Sequence, residues 1–271
     1  MKYRVLFLSL FTVLGGFVFA GNQPVKAAAT IIKCSGQIPN KTACLIEAGS
    51  YGIDTYRVDL CQESPFPDFR SSADYAGSGC MTLFNGKGSL YKWRFPKVFK
   101  YKLPSKGREN IKPGRYQYLT MVVKNDFTTS GKYTSGKTTW RTKGGSAKTL
   151  GTSKGEAVEF KTKLQNWRGI MNQDNDYCDN NGGTFSRCEI KYNGYKLTGI
   201  GIGKDFIETY GPNVEYVFYM VELLSPITLT KEMDGFFNMT FKNNLEVYGN
   251  GTTVQSISIA PFVFQATYTS N

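Results

Sequence analysis

The sequence predicts an all-β fold, an antiparallel β-sandwich of the jelly-roll or immunoglobulin-like kind with little helix. Two observations support this prediction. β-branched and aromatic residues alternate with polar residues along much of the chain, and turn residues separate these segments at short intervals. No segment shows a helical period that persists for more than a turn or two. The six cysteines of the chain are expected to crosslink this sandwich.

The N-terminus indicates export. A short basic start precedes an apolar run over residues 5–19, which is typical of a secretory signal peptide. The run is shorter than the roughly 20 residues that a helix needs to cross a bilayer, so no transmembrane span is expected. We place the signal peptide at residues 1–27, with cleavage after Ala20 as the alternative, and the sandwich domain at residues 28–271. The protein is therefore expected to be secreted, periplasmic or at the cell surface.

The cysteines are expected to form disulfides, because their number is even and export leads to an oxidising compartment. A zinc site is disfavoured, because no Cys-x-x-Cys spacing occurs. One pair lies far along the chain from the other four cysteines and flanks a turn-rich loop, so it is expected to pair with itself. The predicted bridges join Cys34 to Cys44, Cys61 to Cys80 and Cys178 to Cys188. The first third of the chain would then be crosslinked separately from the rear loop.

The strands of the first half are predicted from alternation. They cover residues 51–60, 81–84, 89–101 and 115–124. Residues 62–79 contain too many turn residues for regular structure and are predicted to be a loop closed by the Cys61–Cys80 bridge. Residues 124–155 are rich in Ser, Thr, Gly and Lys and are predicted to form a long hairpin or an exposed loop. As an alternative, this segment separates two β domains.

The second half is predicted to contain longer strands. These cover residues 157–167, 195–203, 214–224, 236–248 and 254–268. Gly249-Asn250-Gly251 lies between the last two and is the clearest hairpin signal of the chain. The last strand could also add to the sheet of a neighbouring molecule, which would give self-association. Pairing within the chain is the competing interpretation.

Histidine is absent from the chain, which excludes the Ser-His-Asp and Cys-His mechanisms and the His-containing zinc sites. Paired carboxylates hydrolyse glycosides without histidine, so an enzyme of that kind stays open, although no pair stands out. The formal charge is +12. Removal of Lys2, Arg4 and Lys26 with the signal peptide removes no acid, so the charge of the mature chain becomes +9. A basic exported protein is expected to attract polyanions such as acidic polysaccharide.

A polyanion-binding or carbohydrate-binding site is predicted in the basic segment, where cations alternate with aromatic residues that could stack on sugars or bases. A second aromatic stretch over residues 91–101 provides one further candidate, with core packing as the competing interpretation. The candidate residues are Lys132, Tyr133, Lys137, Trp140, Arg141, Lys143 and Trp93.

No cofactor is expected, with calcium as the one alternative. The loop at residues 172–183 contains Asp174, Asp176 and Asp179 at alternating spacing with amides around them, and hard oxygen ligands are what Ca²⁺ prefers. The loop departs from the EF-hand pattern, because Cys178 and Asp179 occupy positions where that pattern needs a ligand and a glycine. A disulfide-linked turn exposed to solvent is the competing interpretation.

Residues 43–65 include Cys44, Tyr51, the run Tyr56-Arg57-Val58-Asp59-Leu60-Cys61 and a following proline. This stretch resembles uncharacterised exported proteins of marine bacteria and their viruses. The resemblance implies a surface or virion-associated protein and assigns no functional residue.

Together, the predicted signal peptide, the even number of cysteines, the β-forming segments and the absence of histidine predict a non-enzymatic structural or adhesive protein of the cell surface or an extracellular appendage. The alternatives are a carbohydrate-binding or polyanion-binding module, a virion-associated structural protein and a histidine-free glycoside hydrolase.

Overall fold

The computed structural model describes the chain from residue 33 onward, with gaps. The described residues are 33–65, 79–86, 91–95, 99–102, 112–164, 177–178, 188–192, 195–209, 213–231, 235–242, 244–260 and 263–270. The predicted signal peptide lies outside them. So does most of the loop predicted at residues 62–79.

The described residues form strands and no α-helix, which confirms the predicted all-β class. The strands are β1 (Ile38–Glu47), β2 (Ser50–Cys61), β3 (Cys80–Asn85), β4 (Tyr91–Phe95), β5 (Phe99–Lys102), β6 (Gly114–Lys124), β7 (Phe127–Ser130), β8 (Lys132–Ser135), β9 (Thr138–Thr142), β10 (Leu150–Gly151), β11 (Phe160–Thr162), β12 (Tyr177–Cys178), β13 (Cys188–Tyr192), β14 (Tyr195–Ile202), β15 (Tyr216–Leu229), β16 (Gly235–Lys242), β17 (Asn244–Gly251), β18 (Thr253–Ile259) and β19 (Val263–Ser270). No helix in this part of the chain is long and apolar enough to cross a membrane.

The largest sheet has ten strands and is centred on β2. Strands β6 and β7 pair with β2 along one edge, and β3 and β4 pair with it along the other. The sheet continues from β6 through β15, β14 and β13 to β12, and from β7 to β11. All of these pairs are antiparallel. The side chains that β2, β6 and β15 direct inward form the main core of the molecule.

Three smaller sheets complete the sandwich. Strands β19, β16 and β5 form one sheet, and side chains of β16 and β19 pack into the main core. Strands β1, β17 and β18 form a second sheet, and β10, β9 and β8 form a third. The second and third sheets pack against each other around their own cluster, which includes Ile38, Leu245 and Tyr133. The basic segment therefore covers a core of its own.

Asn125 lies between β6 and β7, which pair with successive parts of the same edge of β2. Its buried side-chain amide donates to the carbonyls of Leu164 (3.2 Å) and Val214 (3.3 Å), and its carbonyl accepts the Leu164 N–H at 2.9 Å. Leu164 follows β11, which pairs with β7, and Val214 precedes β15, which pairs with β6. The amide thus provides hydrogen bonds to backbone groups that no ladder partner reaches.

Three predicted long strands are wrong in extent, because each divides into two strands of different sheets. The segment at residues 89–101 gives β4 and β5, residues 236–248 give β16 and β17, and residues 254–268 give β18 and β19. In a sandwich, a strand passes from one sheet to another at a bend, and the period of two continues across it. Pro96 and Pro261 stand between two of these pairs and were the available signal.

Other strands differ from the prediction in their limits. Strand β1 was missed, and within the described part of the strand predicted at residues 157–167, which ends at Leu164, Phe160–Thr162 form a strand. Strand β15 continues past Pro226, which was taken as a separator. It does so through an irregularity in its pairing with β6 between Glu222 and Ile227, where a proline needs no ladder hydrogen bond.

Two of the three predicted disulfides are confirmed. Cys34 is bonded to Cys44, and Cys61 is bonded to Cys80. The second bridge joins residues that lie directly opposite each other in the β2–β3 pair. Cys178 and Cys188 also lie opposite each other, in the backbone register of β12 and β13, and their bond stays a prediction.

Candidate polyanion-binding face

Residues 127–155 contain six lysines and arginines and no acid. The predicted hairpin or loop is a compact three-stranded sheet for much of its length, because β8, β9 and β10 pair in antiparallel register. The turn of the β8–β9 hairpin is Gly136-Lys137, and Gly136 has a φ of 61°. An L side chain rarely adopts this conformation, so the glycine permits the tight turn.

The cations of this hairpin share one face because strands have a period of two. Lys132 lies directly opposite Arg141, and Thr134 lies opposite Thr139 with their hydroxyl groups 2.9 Å apart. Lys143 follows Arg141 by two residues at the end of β9. We call the outward surface formed by these five residues the basic face.

The cations of the basic face have no carboxylate partner among the described residues. The one ion pair between described side chains joins Arg57 to Asp59, in the ten-stranded sheet. Lys132 and Lys143 are exposed, and Arg141 is half-buried. Like charges that lie directly opposite each other in a sheet destabilise it slightly. The arrangement of Lys132 and Arg141 is therefore not explained by stability.

Contacts with neighbouring residues fix the orientation of two of the cations, Arg141 and Lys143. The Nη1 of Arg141 donates to the carbonyls of Thr139 and Ser153, both at 3.1 Å, whereas its Nη2 makes no hydrogen bond to a described residue. The stem of Lys143 crosses Gly151, where a Cβ atom would lie 2.6 Å from the Lys143 Cε. A glycine at this place therefore lets the lysine side chain lie close to the sheet.

The two aromatic residues predicted to stack on a ligand lie on the opposite face of the hairpin. Tyr133 is 8% exposed and donates its hydroxyl to the carbonyl of Gly36 at 2.8 Å, and burial raises the pKa of this hydroxyl. Trp140 packs against the same cluster, and its Nε1 donates to the carbonyl of Thr252 at 3.1 Å. Both rings thus belong to the core beneath the basic face.

The other predicted binding residues are dispersed. Lys137 is exposed at the hairpin turn, at one end of the basic face. Trp93 belongs to β4 in the ten-stranded sheet, where its register partner is Ile53. The structure therefore does not bring Trp93 together with the lysines of the hairpin.

The predicted calcium ligands Asp174, Asp176 and Asp179 lie outside the described residues. Among the residues that are described, no group of three or more cysteine or acidic side chains is arranged to hold a metal ion.

Sequence analysis missed a cleft of about 470 Å³ at the end of β14. Its walls come from the turn at residues 203–209 and the segment that leads into β15, and they include Asp205, Glu208 and Glu215. The turn is closed by the Gly203 N–H, which donates to the carbonyl of Ile207 at 2.9 Å. The lining residues all lie between Gly203 and Glu215, so the acidic residues of this short segment were the available signal, but turn residues there were taken only as separators between strands.

The turn beside the cleft is attached to the ten-stranded sheet through aromatic contacts. Phe206 has a φ of 62° and lies 5.0 Å from both Tyr56 and Tyr216 by ring centroids. Its ring is stacked on that of Tyr216 with an interplanar angle of 19°. A non-glycine residue with positive φ is strained, and these ring contacts offset that strain.

Asp59 is the most buried charged group of the outer face of the ten-stranded sheet, with 3% of its surface exposed. Its carboxylate accepts hydrogen bonds from Arg57 at 2.9 Å, from Thr82 at 2.6 Å and from Thr120 at 3.4 Å. Burial raises the pKa of Asp59, and the bonds from Thr82 and Arg57 oppose this effect. The group is a satisfied buried network rather than an open site.

Comparisons of the chain with models of known protein families, with curated proteins and with solved structures found no match in any of the three, so the functional assignment depends on the geometry described above.

Proposed function

We propose that the protein is an exported, non-enzymatic structural or adhesive β-sandwich that holds polyanions through its basic face. The observation that carries this proposal is the row of cations on β8 and β9 without a carboxylate partner in the described chain. Such charges are free to neutralise the anionic groups of a ligand and to release its counterions.

The rigidity of the basic face supports the proposal. Arg141 is held by two backbone carbonyls, and the hairpin is fixed by the core contacts of Tyr133 and Trp140 on its other face. A cation that is already ordered loses less conformational entropy on binding than a mobile one. A guanidinium also presents donors in a plane, which suits carboxylate, sulfate and phosphate groups.

The test is the affinity of the mature protein for immobilised dextran sulfate as a function of salt concentration. We expect the affinity to fall steeply with salt, and the triple variant Lys132→Gln, Arg141→Gln, Lys143→Gln to reduce the slope of log K against log salt by roughly one unit for each lost contact. The matched control is Lys161→Gln, which removes an exposed charge on β11. Binding that is absent, insensitive to salt or unchanged in the triple variant would refute the proposal.

A second candidate function, hydrolysis of a glycosidic bond, belongs to the cleft at the end of β14. Its volume lies in the range of small-molecule sites, and three carboxylates line it. A retaining or inverting mechanism needs two of them, one as general acid and one as nucleophile or base. Release of reducing ends from a panel of polysaccharides, lost in both Glu208→Gln and Glu215→Gln, would support it. No release from any substrate would dismiss it.

A further inference from the structure

We infer that the polyanion bound by the basic face is an acidic polysaccharide, which lies along β9, and not a nucleic acid. This inference rests on the proposed function and names the ligand class of the same face. Three features of the face carry it: the absence of aromatic rings among its described residues, the flat attachment of the cations and the pair of threonine hydroxyls.

The first feature is the placement of the aromatic residues. Proteins bind single-stranded nucleic acid by stacking bases on aromatic side chains beside a basic groove. In this hairpin Tyr133 and Trp140 lie beneath the sheet, and their polar atoms are bonded to the carbonyls of Gly36 and Thr252. Rotation of either ring to the basic face would open the cluster that joins the two small sheets. Base stacking is therefore not available on this face.

The second feature is the flat attachment of the charges. Residues two apart on a strand lie on the same face at about 7 Å, so Arg141 and Lys143 present charges at that interval. Recognition of a DNA duplex uses a helix or a two-stranded ribbon that enters a groove. The β8–β9 hairpin lies on the β1–β17–β18 sheet as far as its turn, where the Ser135 hydroxyl donates to the carbonyl of Gly251, so it does not project as such a ribbon. A linear polymer can lie across this face.

The third feature is the hydroxyl pair between the charged positions. Thr134 and Thr139 lie opposite each other, between the Lys132–Arg141 pair and Lys137 at the turn. Each hydroxyl can both donate and accept a hydrogen bond, which matches the hydroxyl groups of a sugar ring. From Lys143 to the turn, the row of cations and hydroxyls follows β9 for about 20 Å. A linear polysaccharide can lie along this row.

Gly151 provides a test of this arrangement that leaves the charge unchanged. Its backbone is not in the left-handed region, so alanine introduces no backbone strain, but the new Cβ would displace the Lys143 stem. We expect Gly151→Ala to weaken polysaccharide binding several-fold while the free energy of unfolding changes little. The control is Lys143→Gln, in which the additional Gly151→Ala change should have no further effect on binding. If the double variant Gly151→Ala, Lys143→Gln binds the polysaccharide more weakly than Lys143→Gln alone, the glycine acts by a route other than the lysine stem.

The ligand class is tested by titration of the full mature protein with dextran sulfate, polygalacturonate, neutral dextran, a thymidine oligonucleotide and a DNA duplex at one salt concentration. We expect at least one of the two acidic polysaccharides to bind tenfold more tightly than either nucleic acid at equal total charge, and neutral dextran to give no signal. Equal or tighter binding of a nucleic acid overturns the inference but leaves the proposed function intact. Failure of every polyanion to bind overturns both.

Discussion

Two arginines on outward faces of the sandwich differ in their partners, because one is paired with a buried carboxylate and the other is bonded to backbone carbonyls. Arg57 lies in the ten-stranded sheet, with its Nε 2.8 Å from the buried carboxylate of Asp59 and its Nη2 3.3 Å from the Thr82 hydroxyl. Arg141 lies in the small sheet, bonded only to backbone carbonyls among the described residues, opposite another cation. The first charge therefore neutralises a buried carboxylate, whereas the second has no carboxylate partner among the described residues and is the one that we propose binds a ligand. Stability measurements should therefore separate the two faces.

The largest effect is expected from Arg57→Ala. It leaves the buried Asp59 without its cation, and loss of one partner of a buried pair costs about 3 to 4 kcal/mol in the free energy of unfolding. Because burial raises the folded-state pKa of Asp59, its charge destabilises the fold above that pKa, and the cost decreases as the pH falls through it. Urea denaturation at neutral and at acid pH measures both. A loss below about 1 kcal/mol, or one independent of pH, would contradict the assignment.

A comparable effect is expected from removal of the Cys61–Cys80 bridge, which holds β3 and its Thr82 beside Asp59. The bridge closes a loop with a sequence separation of 19. In the chain-entropy account a loop of this size contributes about 3 kcal/mol. The double variant Cys61→Ser, Cys80→Ser should lower the melting temperature by several degrees. The control is reduction of both the parent and the variant, after which the two proteins should melt at the same temperature if the crosslink and not the serine is responsible.

Fold class and two disulfides followed from the sequence because they depend on local signals: alternation, turn residues and loop length. The division of strands between sheets did not, since the period of two is the same on both sides of a bend. The cations of the candidate site were identified by composition, but their separation from Tyr133 and Trp140 was missed. Because residues 124–155 were predicted to form a long hairpin or an exposed loop without assigned strands, the alternation of Lys132 with Tyr133 carried no directional information. The cleft comes from neighbouring residues of one segment, 203–209 with Asn213 and Glu215, and it was missed because the alternation that locates strands carries no information about such a turn.

A smaller effect of opposite sign is expected at Glu246, a third kind of charged side chain. It lies on β17, half-buried, with no hydrogen bond or ion pair to a described residue, and burial raises its pKa. Glu246→Gln should increase the free energy of unfolding at neutral pH by less than about 1 kcal/mol. The gain should disappear at acid pH, where the parent side chain is protonated as well. A destabilised Gln variant at neutral pH would show that the carboxylate has a partner.

The smallest effect is expected at Lys132. Its replacement by glutamine removes one of two like charges that lie directly opposite each other, which should stabilise the fold by about 0.2 to 0.5 kcal/mol. The same variant should bind dextran sulfate more weakly. A calorimetric melting scan beside the binding titration tests the pair of results. A loss of stability above about 1 kcal/mol would place Lys132 with Arg57 as a structural cation.

The pairing of β1 with β17 constrains the order of events during synthesis. These strands lie roughly 200 residues apart along the chain, and such distant contacts form late, whereas the N-terminal part of a chain is made first. The Cys34–Cys44 bond joins residues separated by only 10 positions, so it can close before the ribosome has made the partner strand. Until β17 has been made, the edge of β1 that pairs with it stays unpaired. The disulfide in this short loop limits the conformations of the nascent segment during that time.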